Sequence, residues 1–512
     1  LQRRHARHGT AFWLWHFLEQ AFSAVSKFRP LAAFDQSGAA PYTLLPFRFT
    51  RLDRDRYVAS NMAGEYAVLD RTTVEALVKH QLASDTNAYR DLASRHFLID
   101  ADSSVGRDLL ALKVRTRLSR LSEFTGLHIF VVTLRCEHSC PYCQVSRQSM
   151  DTEAFDMTLN TANRALDLVF RSPAPHLKIE FQGGESLLNF PLIRHIIVRA
   201  KKINAAQGDR PLQFVIATNL ALIDDEMLAF AKEHDILIST SLDGPADLHN
   251  CNRPRPGRDS YERTIAGIEK ARRVLGHDRV GALMTTTKES LRQPRAIIDE
   301  YIRQGFDSIF LRPLSPYGFA VKTKSYAAYD VSSWLAFYFK GLSYIIELNR
   351  QGQRFVESYA AIILSKILTP FSSGYVDLGS PAGIGIGAVV YNYNGAVYAS
   401  DEARMLAEMH DETFKLGDVH TASYEDIFLS DRLLDPLEES VALSVPMCSD
   451  CAFEPYCGAD PVFHHATQGD YVGRKPTSAF CQRNMAIFRH LIRLMEDDPE
   501  VRLIFRSWAS RG

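Results

Sequence analysis

Between residues 127 and 313 the sequence alternates between short apolar runs and amphipathic stretches. The runs HIFVVTL, HLKIEFQ, LQFVIATN, DILISTSLD, RVGALMTTT and SIFLRPL read as six buried strands. NTANRALDLVF, FPLIRHIIVRAKKI, DDEMLAFAKEH, YERTIAGIEKARRVL and RAIIDEYIRQG lie between them with helical spacing. Repeated strand–helix units require a parallel sheet, because parallel neighbours need a long crossover. The predicted fold is therefore α/β, with a partial (β/α)6 TIM-like barrel at its centre. Working residues of such barrels stand at the C-terminal ends of strands.

The flanks differ in pattern. Residues 42–126 carry short β-rich runs (LPFRFTRL, RYVASN, GEYAVLD) and then RTTVEALVKHQL, with Val74, Leu77 and Val78 on one helical face. This is expected to be a small α+β module. Residues 127–315 form the barrel core, 316–370 a helical connector, and 371–512 a Cys-rich domain that begins with a Gly-rich hairpin. Residues 1–41 read as an extension. Arg3-Arg4 and Trp13, Trp15 and Phe17 hint at a signal or interfacial helix, but Glu19 and Lys27 interrupt the apolar stretch.

Composition excludes several classes. Lys+Arg is 59 and Asp+Glu is 60, a net charge of −1, which argues against broad nucleic-acid binding. No apolar run reaches the length of a membrane span. The 8 cysteines are clustered, which points to metal chemistry in a reducing, cytoplasmic setting rather than to disulfides.

Cys136, Cys140 and Cys143 form C-x3-C-x2-C directly after the first barrel strand. Thiolates hold iron–sulfur clusters, usually four to a cluster. Three leave one iron open, as a catalytic metal site requires. Gly183-Gly184-Glu185 ends the second strand, Thr218-Asn219 the third, and Ser241-Leu242-Asp243-Gly244 the fourth. Glycine permits close backbone approach. His249 and Arg253 follow in the next loop, and Arg253 could hold a carboxylate bidentately. Arg312 ends the sixth strand in a similar position.

This block resembles the radical S-adenosylmethionine superfamily. The resemblance implies a [4Fe–4S] cluster on the three cysteines, with S-adenosylmethionine on its open iron. It also implies that Gly183, Gly184 and Glu185 meet the methionine amino group. Thr218, Asn219, Ser241, Asp243 and Arg253 would serve the ribose and carboxylate of the cofactor.

Cys448, Cys451, Cys457 and Cys481 read C-x2-C-x5-C-x23-C. Four thiolates suit either structural zinc or a fully ligated [4Fe–4S] cluster. The segment is similar to the SPASM extension of peptide-modifying radical enzymes, which often carries two auxiliary clusters. Here three positions depart from that pattern: Ser380, Ser400 and Pro461 stand where cysteines would be. One auxiliary cluster is expected, and two clusters in all. Asp401 follows Ser400 and could act as a base on an oxidised substrate, or serve as a turn or cap residue. Cys251 is the leftover thiol, expected to be structural.

The runs LPFRF, SDEARMLAEM and CGADPVFHHATQGDYVGRKPTSAFCQRNM resemble the His-Xaa-Ser system radical SAM maturases, component B. That resemblance implies a ribosomal precursor peptide, a companion radical enzyme, an electron donor, and crosslinking or oxidation of side chains. The first module resembles winged-helix leader-binding domains, which add a peptide strand to a sheet edge. A structural module packed on the barrel is the other reading. Two further functional alternatives are an anaerobic sulfatase-type maturase and a non-catalytic zinc or cluster scaffold that binds the peptide or a partner enzyme.

Overall fold

The computed structural model describes residues 41–510. The readings of Arg3-Arg4 and of the Trp13–Phe17 segment fall outside these residues. At the centre lies an eight-stranded sheet. Its parallel part runs, from one edge, Val280–Leu283, Leu237–Ser241, Leu212–Thr218, Leu177–Gly183 and Leu127–Thr133. Five of the six expected strands thus pair in sequence order, joined by helical crossovers. The crossover helices carry the signals that start helices. Thr158 caps Leu159–Val169, Asp224 caps Asp225–Glu233, and Pro191 sits in the first turn of Phe190–Ala206.

The sixth strand keeps only Ser308–Ile309 in a ladder, parallel to Val356–Glu357. It still follows the fifth strand in space, since the Thr286 N–H donates to the Arg312 carbonyl (2.9 Å). Glu357, fully buried, fixes the arrangement. Its carboxylate accepts from Tyr338 Oη (2.6 Å), from the Ala360 N–H (2.6 Å) and from the Leu311 N–H (3.2 Å). A buried carboxylate needs such partners, and here they hold the strand end that carries Arg312.

Beyond Leu127–Thr133 the sheet continues with Ala388–Tyr391, again parallel, and then with Ala396–Tyr398 and Lys415–Asp418, both antiparallel. The Gly-rich hairpin therefore extends the barrel sheet rather than opening a separate domain. Val389, Val390 and Tyr391 share one apolar core with Ile129, Phe130 and Phe181. A second core joins the helices Val331–Arg350 and Ser358–Leu368 to Ala479–Asp497 and Pro499–Ala509, through Ile363, Leu364, Phe488 and Trp508. Cores and expected boundaries therefore do not coincide at residues 316–370 and 371–512, because both outer segments return to the barrel. Among the described residues no helix is long and apolar enough to cross a membrane.

The first module is an antiparallel meander of Phe47–Arg51, Arg56–Asn61 and Tyr66–Asp70, with Tyr42–Leu44 paired to Leu98–Asp100. Three helices follow: Arg71–Val78, Asn87–Ser94 and Val105–Leu118. The first ends earlier than its sequence suggested, with His80 in the left-handed region (φ 56°), and Val78 is exposed while Val74 and Leu77 are buried. The module is fastened to the second cysteine loop. Ser60 Oγ donates to the Ala452 carbonyl, Tyr456 Oη donates to the Gly64 carbonyl (2.8 Å), and Arg48 pairs with Glu454 (3.3 Å).

Candidate functional site

The cysteine loop after Leu127–Thr133 is held at its start by backbone contact. The Gly184 N–H donates to the Thr133 carbonyl (2.9 Å), and the Glu185 N–H to the Arg135 carbonyl (2.7 Å). Gly183 adopts φ 145°, and a β-carbon there would collide with the Thr133 carbonyl oxygen. One on Gly184 would collide with the carbonyl oxygens of Leu134 and Arg135. Both positions therefore require glycine. Arg135 closes the base of the loop with a bidentate pair to Asp156 (2.7 Å to each oxygen).

The far side of the loop is tied by side chains. Tyr142 Oη donates to Asp243 Oδ2 (2.5 Å), and Arg253 donates to both oxygens of Asp243 (3.1 and 3.2 Å). The Arg253 guanidinium also lies 5.5 Å from the Tyr142 ring centroid. Burial pushes the Asp243 carboxyl up, but Arg253 and its other partners prevail and hold it below the usual range. A second chain runs through histidines. His138 Nε2 and His249 Nε2 both contact Ser260 Oγ (2.8 and 3.1 Å), and Asn219 Nδ2 reaches Glu137 Oε1 (2.8 Å). Glu137, His138, Asp156 and Ser260 were not singled out in the sequence. The CEHSC run was the available signal, hidden because Glu137 and His138, besides contacting each other (3.1 Å), act through the distant Asn219 and Ser260.

These ties open the loop onto a cleft of about 1150 Å³ including its mouth. Cys136, Cys140, Cys143, Gly183, Gly184, Thr218, Asn219, Ser241 and Arg253 all line it, together with Arg312 and Asp401. Glu185 and Asp243 do not. The Glu185 carboxylate is buried behind the wall, where it accepts from Thr218 Oγ1 (2.6 Å), the Asn219 N–H (2.8 Å) and the Leu187 N–H (3.0 Å). Burial first, and Glu137 second, push its pKa up to about 7. Its geometry is that of a positioning residue for Thr218 and Asn219.

The three thiols fit an iron–sulfur cluster with an open position. They are soft donors on one loop that faces a cleft large enough for a nucleotide-sized ligand. Burial raises the Cys136 thiol far above its usual range and the Cys140 thiol to about 12, so a metal must displace their protons.

Asp401 stands at the first position of the helix Asp401–Ala407. The capping role belongs to Ser400, whose Oγ accepts from the Ala403 N–H (3.1 Å), so the cap reading of Asp401 is corrected. Its Oδ1 is buried without a hydrogen-bond partner, and the nearest cation is Arg404 Nε at 3.8 Å. Burial, opposed by Arg404 and reinforced by Glu402, lifts this carboxyl to about 7. Cys251, expected to be structural, is exposed on the helix Ala246–Asn252.

Cys448, Cys451 and Cys457 lie in the loop that holds the first module, and Cys481 in the first turn of Ala479–Asp497. Burial raises all four thiols, and the other three cysteines raise Cys457 further, to about 12. The four therefore converge. Sulfurs on one tetrahedral zinc would stand about 3.8 Å apart, given Zn–S bonds of about 2.3 Å. Among the described residues the one group of three or more donors within 4.8 Å of one another is Cys136, Glu137 and His138, so the quartet is spaced more widely.

Residues 130–301 match the Radical SAM superfamily. An uncharacterized protein of Methanocaldococcus jannaschii is 33% identical over 27% of this chain and 46% of its own. The radical SAM cyclopropyl synthase TigE of Paramaledivibacter caminithermalis is 24% identical over 30% of this chain and 35% of its own. The matches span less than half the length of these two relatives. Among solved structures, anSMEcpe with bound AdoMet and Cp18Cys peptide covers 75% of this chain and 99% of its own (TM-score 0.59, 18% identity). Streptococcus suis SuiB bound to precursor peptide SuiA covers 86% of this chain and 100% of its own (TM-score 0.51, 15% identity). The chain carries a Radical SAM domain, and its fold is shared with these two proteins beyond that domain.

The close approach at Gly184 yields a direct expectation. Gly184→Ala displaces the cysteine loop, and after anaerobic reconstitution it should hold about half the iron of the wild type. Undiminished iron would show that the loop tolerates the displacement.

Proposed function

We propose that this chain is a radical S-adenosylmethionine enzyme that crosslinks or oxidises side chains of a ribosomally made precursor peptide, of the His-Xaa-Ser type. The observation that carries the reading is the shared wall of one cleft: three thiols and the carboxylate of Asp401, whose buried Oδ1 has no hydrogen-bond partner. Cys136, Cys140 and Cys143 would hold a [4Fe–4S] cluster. When bound, that cluster and S-adenosylmethionine supply reductive cleavage of the sulfonium and abstraction of a hydrogen atom from substrate.

The chain's own residues shape what that chemistry meets. Gly183 and Gly184 leave backbone exposed to the cofactor's amino acid end. Thr218, Asn219 and Ser241 offer polar atoms suited to ribose hydroxyls. Arg253 faces the cleft while Asp243 fixes its plane, so one edge of the guanidinium is oriented before any ligand arrives. Asp401 takes a proton from the oxidised substrate. The wide spacing of Cys448, Cys451, Cys457 and Cys481 supports a second [4Fe–4S] cluster there, which would take up the electron that the substrate radical loses, while an external donor would reduce the cluster on Cys136, Cys140 and Cys143. The first module suits a leader peptide. Among the described residues, its outer strands Phe47–Arg51 and Tyr66–Asp70 each have one free edge. A companion radical enzyme would act on the same peptide.

Cys140→Ala is expected to abolish 5′-deoxyadenosine formation, and a variant with full cleavage would contradict the assignment. Cys457→Ala should lose about four irons per chain and leave zinc unchanged. Loss of zinc alone would make the quartet a structural zinc site. For Asp401→Asn, cofactor cleavage is retained while modified peptide falls by about 100-fold or more. In the wild type the base works only when ionised, so product formation should rise as pH increases through about 7. A product yield independent of both the substitution and pH would remove Asp401 from the mechanism.

A further inference from the structure

Arg312 belongs to two walls: that of the thiol-bearing cleft and that of a second, smaller cavity. Three carboxylates line this second cavity: Asp377, Glu402 and Asp460. The fold gathers them from three distant segments. Each is a near neighbour of a position where the sequence departs from the cysteine pattern: Ser380, Ser400 and Pro461. Against them stand two guanidiniums, Arg312 and Arg483. Among the described residues no ion pair within 4.0 Å joins either arginine to any of the three acids, since none occurs among the ion pairs of the structure.

Apart from Pro313 and Ser315, the rest of the wall is aromatic. Phe310 stacks on Tyr359 (centroids 5.5 Å apart, planes 9° apart), and Tyr375 lies 6.0 Å from Tyr359. Tyr317 is 1% exposed, lines the cavity, and has the same three carboxylates as electrostatic neighbours. Its hydroxyl nevertheless has no hydrogen-bond partner. A buried hydroxyl left unpaired is costly, so its presence points to a partner that arrives with a ligand. The carboxylates also repel one another. Burial and Glu402 push Asp377 up to about 6, and burial and Asp377 raise Asp460. An incoming cation would relieve that repulsion.

From these features we infer that the cavity is a specificity pocket for a cationic side chain of the peptide substrate, an imidazolium, ammonium or guanidinium group seated among Asp377, Glu402, Asp460 and the tyrosine rings. Aromatic faces attract such cations, and carboxylates accept their N–H donors. A bare divalent ion is the poorer fit. The three acids do not gather their oxygens within 4.8 Å of one another, as a preformed ion site among the described residues would. The inference rests on the proposed action on a peptide, and Arg312, which lines both, places the pocket beside the cleft where that action occurs.

The test uses the full, anaerobically reconstituted chain at pH 7.5 and three probes: the N-acetyl methylamides of lysine, arginine and glutamine, with affinities read by calorimetry. At least one cationic amide should bind about tenfold or more tighter than the neutral glutamine amide. Glu402→Gln and Asp377→Asn should each remove that preference, while 5′-deoxyadenosine formation stays at the wild-type rate. Tyr317→Phe, which keeps the ring, should weaken the cationic amide and serves as the deciding variant if Asp377→Asn fails to fold. Equal binding of the glutamine amide, or a preference that survives both Glu402→Gln and Tyr317→Phe, would overturn the inference. So would tight Mn2+ binding lost in those variants with no effect on the amides. Cation binding in a protein that does not cleave S-adenosylmethionine would keep the pocket and sink the proposed reaction instead.

Discussion

The end of strand Leu177–Gly183 and the loop that follows Leu127–Thr133 approach so closely that no β-carbon fits between them. Two N–H groups of that strand end bind carbonyls of the cysteine loop, and the rest of the site is arranged around this contact. The loop is pinned on one side by backbone and on the other by Asp243, through Tyr142 and Arg253. A loop of this kind has little intrinsic order, because three thiols contribute few directed contacts of their own. Buried charged pairs of good geometry supply that order. The cost of burying Asp243 is offset by donors on three different segments.

The same contact explains which site residues are functional in different senses. Gly183, Gly184, Thr218, Asn219, Ser241 and Arg253 reach the cleft, whereas Glu185 and Asp243 stand one layer behind it. The distinction was invisible in the sequence. Both acids end strands in the expected place, but only packing decides whether a carboxylate faces the cleft or the neighbouring backbone. Five parallel strands were legible because continuous apolar runs separated by amphipathic helices admit few other arrangements. The sixth was less so. Its ladder depends on Glu357, fifty residues further on, and nothing local marks that pairing.

The C-terminal half shows the limit of reading boundaries from composition. The Gly-rich hairpin looked like the start of a new domain, yet Ala388–Tyr391 completes the barrel sheet beside Leu127–Thr133. Long-range strand pairing leaves no trace in a single sequence beyond the alternation of the strand itself. By contrast, the C-x3-C-x2-C run is local, and its three cysteines do line one cleft. The docking of the first module on the second cysteine loop was not legible, because it rests on single contacts such as Ser60 to Ala452 and Tyr456 to Gly64. That docking places a peptide-binding candidate against a cluster candidate.

The central claim is that the Cys136–Cys143 loop presents an iron with an open coordination position to S-adenosylmethionine. Electron paramagnetic resonance of the dithionite-reduced chain, recorded with and without S-adenosylmethionine, tests it most directly. A cluster ligated by three cysteines should change its g-values when the cofactor binds, and the change should persist in Cys457→Ala. A spectrum unaltered by the cofactor would mean that the open position does not exist, and the account of the cleft would fail with it.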